Sequence, residues 1–303
     1  MTKQKTIKNS VSFNGIGLHS GVNVNIKINP AKENTGILFK RIDIKNKNNE
    51  VKALYNSVIS TGLGTTIGTS NSFQKMLSNT LLKFGIVKEY GVAVRTIEHF
   101  MAGLWASDID NAIIEIDNKE IPIMDGSASI FIDEIKKAGV QELDEDRKFL
   151  VVKKVVEIKT EDKYIRLLPY DGYKINLKID FNYGNIGEQS FIFNGDQQEF
   201  IEEISKARTF CNIKDVEFMK KHNLALGGSE DNAMVFDNNG ILNKNGFRYN
   251  CEPVRHKLLD CVGDMFTSGY FMKCSIEAYK SGHTLDNQIL KKLFSDKSNY
   301  TIE

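Results

Sequence analysis

The sequence has few cysteines and no long apolar run. Only four cysteines occur among the 303 residues, and none of them forms a C-x-x-C pair. This usage argues against a disulfide framework and favours a reduced protein. Residues 1–15 lack the apolar segment of a secretory signal, and no stretch approaches the roughly 20 apolar residues of a membrane-spanning helix. We therefore expect a cytoplasmic protein with no integral membrane segment.

An excess of charge of either sign is also missing. The chain carries 40 lysines and arginines against 39 aspartates and glutamates, which gives a formal net charge of +1. Such a chain has no strong field to attract nucleic acid or an acidic membrane, so we expect no nucleic-acid partner. With 41% hydrophobic and 26% charged residues, the composition is that of a globular protein.

The pattern of apolar residues predicts strands followed by helices, twice along the chain. Strands are predicted at 22–28, 36–44, 111–116, 149–159, 164–170, 173–181, 188–193 and 274–280. One helix is predicted to begin at about 96, and four more are predicted at 130–139, 199–208, 253–268 and 284–294. Residues 69–88 break the strand pattern and form either a short helix or an insertion on a loop. The polar stretch QELDEDRK, at 141–148, is the best candidate linker. We therefore predict an α+β fold with domains at 1–143 and 149–303.

Histidine is scarce as well, with five in the chain, so the residues near each one are informative. His256 and Asp260 are four residues apart on the predicted helix at 253–268, and Asp264 follows four residues later. Each step of four turns only about 40° around a helix, so the three polar groups form one stripe. A solvated polar face explains this stripe, but a histidine and a carboxylate at i and i+4 can also chelate one metal ion. Two ligands are too few for a site, so a third would have to come from elsewhere.

Glu98 and His99 are the candidates for the rest of a metal site. They lie where a predicted strand leads into a helix, and a zinc hydrolase needs a carboxylate base beside its ligands. The H-E-x-x-H pattern is absent, and a favourable acid in the first turn of a helix is an alternative explanation for Glu98. His283, in KSGHT, is either a surface histidine or an acid or oxyanion partner that Asp264 orients. His19, in GLHSG, is either a turn residue or a substrate contact.

Several short motifs occur in an order that is typical of one known family. They are GIGLHSG (15–21), AKENTGI, TIEHFMAGL, IPIMDGSA (121–128), ARTF (207–210), LGGSEDN (226–232), HKLLD followed by GD, and AYKSGH (278–283). Through them the chain closely resembles the UDP-3-O-acyl-N-acetylglucosamine deacetylases, the zinc amidases of lipid A synthesis, from about Ile7 to the last helix. The resemblance implies two similar layered α/β sandwich domains with the active site at their interface. Each domain would carry a small insert, at about 69–88 and about 211–237.

The resemblance also implies a complete catalytic centre. The residues that match zinc ligands are His99, His256 and Asp260. These ligand types also accept Fe²⁺. Glu98 matches the general base, and His283, held by Asp264, matches the acid or oxyanion stabiliser. Thr209 matches a hydroxyl that helps to polarise the amide carbonyl, and Lys257 belongs to the same centre as a contact to the sugar or the phosphates.

Further positions match substrate contacts of the family. Lys163 matches a residue that holds the pyrophosphate, Phe181 one that stacks on uracil, and Phe210 one that packs on the sugar. An apolar passage for the 3-O-acyl chain would be lined by Ile213, Val216 and Leu224. Core packing explains each of these three equally well. The expected partner is therefore a UDP-sugar with a 3-O-acyl chain, bound by a monomer, with His19 as a further contact.

The expected reaction is hydrolysis of the N-acetyl group of UDP-3-O-(3-hydroxyacyl)-N-acetylglucosamine, which gives the free amine and acetate. This would be an early committed step of lipid A biosynthesis in a Gram-negative bacterium. The alternative is a non-catalytic sugar-nucleotide or acyl-chain binding protein of the same fold, and a lyase acting on related chains would need no zinc. Gly64 departs from the family pattern, since some relatives have a cysteine near the metal there. The stretch at 69–88 also departs from the family pattern, because it is longer than usual in this family.

Overall fold

A computed structural model of the protein describes residues 2–45, 48–69 and 91–303. The predicted helix or loop insertion at 69–88 lies outside these residues from position 70 onward. The described part has an α+β fold with several sheets. Within it, no helix is long and apolar enough to cross a membrane.

The first half of the chain contributes ten strands and two helices to the described fold. The strands are β1 (Lys3–Ile7), β2 (Val11–Ile16), β3 (Asn23–Pro30), β4 (Ile37–Arg41), β5 (Glu50–Lys52), β6 (Val58–Ser60), β7 (Thr66–Gly68), β8 (Ala93–Val94), β9 (Ala112–Ile116) and β10 (Val140–Asp146). The helices are α1 (Glu98–Ala106) and α2 (Ser129–Ala138). A five-stranded sheet has the order β2-β3-β9-β4-β5, and β6, β7 and β8 form a three-stranded sheet.

The second half contributes nine strands and four helices to the described fold. The strands are β11 (Phe149–Val152), β12 (Val156–Lys159), β13 (Tyr164–Leu168), β14 (Tyr173–Phe181), β15 (Gly187–Phe193), β16 (Phe210–Asn212), β17 (Met234–Phe236), β18 (Phe271–Tyr279) and β19 (Tyr300–Ile302). The helices are α3 (Gln197–Glu203), α4 (Ile213–Lys221), α5 (Glu252–Phe266) and α6 (His283–Phe294). In a seven-stranded sheet, β18 pairs with β11, β13 and β14, while β16 and β17 form a separate parallel pair.

Alternation of side chains explains why the strands face the core as they do. In β14, Ile175, Leu177 and Ile179 are at most 2% exposed, whereas the polar residues between them face outward. Successive side chains of a strand point to opposite faces, so this pattern buries one face against α5. The first half shows the same alternation in β3.

The polar stretch at 141–148 was the candidate linker, and most of it forms a strand. Residues 140–146 form β10, which pairs antiparallel with β1 through Lys5 and Glu142 and through Ile7 and Val140. Most side chains of β10 are exposed. The polar composition therefore reflects an exposed two-stranded ribbon, which composition alone does not distinguish from a linker. The division into domains at 1–143 and 149–303 stays a prediction.

A close approach of α1 and α5 positions the polar residues of both halves. Gly263 of α5 lies against the first turn of α1, where a Cβ atom would be only 2.0 Å from the carbonyl oxygen of Glu98. The predicted buried stripe of α1, which includes Phe100 and Leu104, is confirmed. The opposite side of α1 is buried as well, because α5 covers it.

Candidate metal centre

A row of polar side chains on α5 faces the first turn of α1. His256, Asp260 and Asp264 follow one another at intervals of four residues and are 2%, 3% and 3% exposed. Interpretation of this row as a solvated face is therefore wrong. Glu98 and His99 of α1 lie opposite and are 3% and 5% exposed. Buried polar and charged groups are costly without partners, so the contacts among these five residues decide what the site can do.

Three donor atoms from the two helices converge at one point. Asp260 Oδ1 lies 3.3 Å from His99 Nε2 and 3.4 Å from His256 Nε2, and the two imidazole rings are perpendicular at a centroid distance of 4.9 Å. One donor atom from each of the three residues lies within 4.8 Å of the others. Asp260 Oδ1 is buried and has no hydrogen-bond partner among the described residues. Two imidazole nitrogens and a carboxylate oxygen form a donor set found in catalytic zinc sites, so these residues fit a divalent metal ion.

A hydrogen bond to the backbone and burial keep His256 in the form that binds a metal. His256 Nδ1 lies 3.0 Å from the carbonyl oxygen of Ala207. A carbonyl can only accept, so Nδ1 carries the proton and Nε2 presents its lone pair to the site. Burial lowers the pKa of His256 to about 3, which keeps the ring neutral. Burial alone would raise the pKa of Asp260, but His256 and Lys257 hold it well below the ordinary value.

Glu98 is a buried carboxylate beside the three donors. Its Oε2 accepts a hydrogen bond of 2.9 Å from the backbone N–H of Thr65. Burial raises the pKa of Glu98, and the neighbouring His283 and His99 oppose this effect. A Cβ atom on Gly64 would lie 2.8 Å from Glu98 Oε1, so a side chain at this position would face the centre. The departure at Gly64 thus leaves Glu98 Oε1 unobstructed.

His283 completes the polar cluster from the start of α6. Its Nδ1 donates to Asp264 Oδ2 at 2.6 Å, and the hydroxyl of Thr65 donates to the other oxygen of Asp264 at 2.5 Å. Burial alone would lower the pKa of His283, but the carboxylates of Asp264 and Glu98 raise it to about 10. The raised pKa favours the protonated form of His283, whose Nε2 lies 4.0 Å from Asp260 Oδ2.

Comparison with known proteins agrees with this geometry. Residues 4–295 match the family described as UDP-3-O-acyl N-acetylglycosamine deacetylase. The chain belongs to this family. It is 41% identical over 299 residues to the UDP-3-O-acyl-N-acetylglucosamine deacetylase of Actinobacillus succinogenes, with 98% of this chain and 92% of the relative covered. It is also 41% identical over 302 residues to that of Photobacterium profundum, with 99% and 93% covered, and 40% identical over 299 residues to that of Aliivibrio fischeri, with 98% and 92% covered.

Of the two further residues of the expected catalytic set, Lys257 contacts a donor residue directly. Lys257 donates to Asp260 Oδ2 at 2.8 Å, and 21% of its side chain remains exposed. Thr209 is half-buried. Its backbone N–H donates to the carbonyl of Gly126, and its carbonyl accepts from the N–H of Met234. The family motifs IPIMDGSA and ARTF thus meet at Thr209.

The residues expected to bind substrate divide into two groups. Phe210 packs edge-on against His256 at a centroid distance of 6.1 Å, and Phe181 packs edge-on against Phe210 at 5.2 Å. These aromatic rings therefore continue from the metal centre along one wall. His19 Nε2 lies 3.0 Å from the carbonyl oxygen of Leu63, the residue before Gly64. Lys163 is exposed in the turn between β12 and β13, and the described contacts do not connect it with the centre.

The predicted insert at 211–237 has a defined form. Strands β16 and β17 pair in parallel, and helix α4 connects them. Ile213, Val216 and Leu224 are half-buried. Pairing at both ends of the insert holds α4 beside Phe210, whose ring contacts His256.

Sequence reasoning missed several residues that hold the centre together. Thr65 contacts both Glu98 and Asp264, and Glu252 is fully buried at the start of α5, where it binds Arg208. A signal for Glu252 was present, because it lies four residues before His256 and extends the same row. Thr65 is a short polar residue directly before β7, and its spacing gives no comparable signal.

Proposed function

We propose that this chain is a zinc-dependent hydrolase that removes the N-acetyl group of UDP-3-O-(3-hydroxyacyl)-N-acetylglucosamine, giving the free amine and acetate. The reaction is an early committed step of lipid A biosynthesis. The observation that carries the proposal is the convergence of His99, His256 and Asp260 with Glu98 and His283 beside them. Family membership over nearly the whole chain supports the same activity.

The roles of the residues follow from their charges and contacts. When bound, zinc would polarise the amide carbonyl and make water a stronger nucleophile near neutral pH. Glu98 takes a proton from the attacking water, which requires its ionised form. Protonated His283 and the hydroxyl of Thr209 face the negative charge that develops on the carbonyl oxygen. The amine leaves with a proton from His283 or from Glu98.

Substrate recognition is proposed for the surfaces around the centre. Lys257 and Lys163 supply positive charge for the sugar or the phosphates, and Phe210 and Phe181 supply apolar faces for the sugar and uracil. In the insert, the half-buried residues Ile213, Val216 and Leu224 would contact the acyl chain. Burial of that chain would contribute about 0.8 kcal/mol of binding free energy per methylene. His19 is proposed as a further substrate contact.

Other features stay proposals from the sequence. We retain the division into two domains with the site between them, a monomeric state and a cytoplasmic location. A non-catalytic binding protein of the same fold would not need Glu98 and His283 poised beside the donor atoms. A lyase would not need the three converging metal-donor residues, because its reaction does not require zinc.

Acetate release from the sugar nucleotide tests the function directly. The purified protein, the protein after treatment with a chelator, and the treated protein after addition of Zn²⁺ are compared on the same substrate. We expect acetate release in the first, a loss in the second and recovery in the third. Equal acetate release with and without metal would contradict a metal-dependent hydrolase, and no acetate in any sample would contradict the deacetylase assignment.

A further inference from the structure

A buried ion pair outside the expected catalytic set holds the segment that precedes Thr209. Glu252 Oε1 accepts from the backbone N–H and from Nε of Arg208 at 3.0 and 2.9 Å, and its Oε2 accepts from Arg208 Nη2 at 3.1 Å. Glu252 is 0% and Arg208 is 4% exposed. Three hydrogen bonds between one carboxylate and one arginine fix both the side chain and the backbone of Arg208.

This ion pair lies directly beside a proposed metal ligand. Glu252 and His256 are four residues apart on α5 and therefore project from the same face of the helix. Ala207, next to Arg208 in sequence, presents its carbonyl oxygen to His256 Nδ1 at 3.0 Å. The pair thus fixes the backbone immediately next to the group that sets the orientation and tautomer of His256.

A second set of contacts holds the same segment from the first half of the chain. Arg248 donates its backbone N–H to Glu252 Oε2 at 2.6 Å, and its Nη1 donates to Asp125 Oδ2 at 2.7 Å and to the carbonyl of Lys206 at 3.1 Å. Gly126, next to Asp125, accepts from the N–H of Thr209 at 2.9 Å. Residues 206–209 are therefore held at each end, with the buried pair between.

We infer that Arg208 and Glu252 are positioning residues, which fix the Ala207 carbonyl so that His256 turns its Nε2 toward the metal. The inference rests on the proposed metal-dependent function and deepens it. Partners that orient a metal-bound histidine typically change metal affinity by about 10- to 100-fold when they are removed. A pair that serves only the stability of the fold would change the unfolding temperature and leave the metal affinity of the folded protein unchanged.

Metal affinity of matched variants tests this role. The dissociation constant for Zn²⁺ is measured by competition with a chelator in the wild-type chain, Arg208→Lys and Glu252→Gln. We expect binding about 10- to 100-fold weaker in both variants. Lysine keeps the charge of Arg208 but loses the paired N–H groups, so orientation and charge are tested separately.

Arg147→Lys is the control, because Arg147 forms a similarly buried pair with Asp110 through Nε at 2.8 Å and Nη2 at 2.6 Å. The control is expected to lower the unfolding temperature and to leave zinc affinity unchanged. Wild-type affinity in folded Arg208→Lys and Glu252→Gln would overturn the inference. A wild-type chain that binds no zinc would instead contradict the proposed function, so the two failures are distinguishable.

The tautomer of His256 gives a readout that does not depend on the variants folding. In ¹⁵N-histidine-labelled, zinc-loaded wild-type protein, we expect the Nδ1 proton of His256 to be present and protected from exchange with solvent. Rapid exchange of that proton, or its absence, would overturn the inference even if no variant could be purified. In folded Glu252→Gln the proton is expected to exchange faster than in the wild-type chain.

Discussion

At the scale of single residues, the centre depends on different tasks for two neighbours in α1. Glu98 and His99 are adjacent, yet His99 Nε2 meets Asp260 while Glu98 is held by the N–H of Thr65. A residue on a helix turns by about 100° from the one before it, so adjacent side chains reach different partners. Glu98 is therefore available for proton transfer, while His99 is one of the three residues whose donor atoms converge.

Substitution of Glu98 is expected to separate metal binding from turnover. Glu98→Ala should keep its metal and lose about 10²- to 10⁴-fold in kcat, because a general base is removed while the three donors remain. Asp260→Ala is the matched comparison, and it should lose the metal on dialysis. Metal content and acetate release are measured on both variants. Unchanged turnover in Glu98→Ala, or full metal occupancy in dialysed Asp260→Ala, would contradict the assigned roles.

Asp264 is expected to control the alkaline limb of the pH profile through His283. Burial lowers the pKa of His283, but the charge and hydrogen bond of Asp264, together with the charge of Glu98, raise it to about 10. Asp264→Asn removes the negative charge, so the pKa of His283 falls and the active, protonated form is lost at lower pH. The profile of kcat/KM against pH should therefore show its alkaline limb moved downward, with metal content unchanged. An alkaline limb at the wild-type position would show that His283 does not set it.

How much of the site the sequence could predict differs from residue to residue. Spacing alone suggested that His256 and Asp260 share a helix face. It could not show whether that face is exposed or buried, because burial depends on how α1 packs against α5. The residues that came from family resemblance, such as Thr209, carry no local pattern of their own. Glu252 and Arg208 were missed because an ion pair between distant segments becomes visible only in three dimensions.

At the scale of the elements, the distance between α1 and α5 determines whether two half-sites become one. Gly263 allows this contact, because any larger residue would overlap the carbonyl of Glu98. In the sequence, Gly263 belongs to the GD that follows HKLLD. That motif singles out the glycine but does not show that it packs against Glu98. Helix α3 gives a similar lesson. It ends at Glu203 although the apolar pattern predicted a helix to 208, because the backbone of Ile204 leaves the helical range and the N–H of Ser205 donates to the carbonyl of Phe200.

A methyl group at the helix contact is expected to disrupt the metal centre. Gly263→Ala places Cβ 2.0 Å from the carbonyl oxygen of Glu98, so α1 and α5 must move apart. We expect a loss of about 1–3 kcal/mol in the free energy of unfolding, which is typical of overpacking, together with weaker zinc binding. Chemical denaturation and chelator competition measure the two effects.

Gly103→Ala in α1 is the control for this substitution. Its Cβ would meet Phe131 Cβ at 3.2 Å, a tighter contact than usual but far milder than the overlap at Gly263. Zinc affinity of the control should match that of the wild-type chain. Wild-type stability and zinc affinity in Gly263→Ala would show that the close approach of the two helices is not required.

At the scale of the whole molecule, Arg147 joins the two halves of the chain. Arg147 pairs with Asp108 and Asp110 of the first half, and its guanidinium lies 3.9 Å from the centre of the Phe271 ring at the start of β18. Strands β1 and β10, both in the first half, pair next to this border. The α+β class followed from the alternation of strand and helix patterns, whereas the β1–β10 pair was missed because exposed polar strands resemble linkers in composition.

The central claim is that His99, His256 and Asp260 together hold one divalent ion. Zinc X-ray absorption on the purified protein, combined with its metal content, tests this claim most directly. The account predicts about one zinc per chain, with nitrogen and oxygen neighbours at about 2.0–2.2 Å and two imidazoles among them. An absence of bound metal, or a sulfur neighbour at about 2.3 Å from one of the four cysteines, would contradict it.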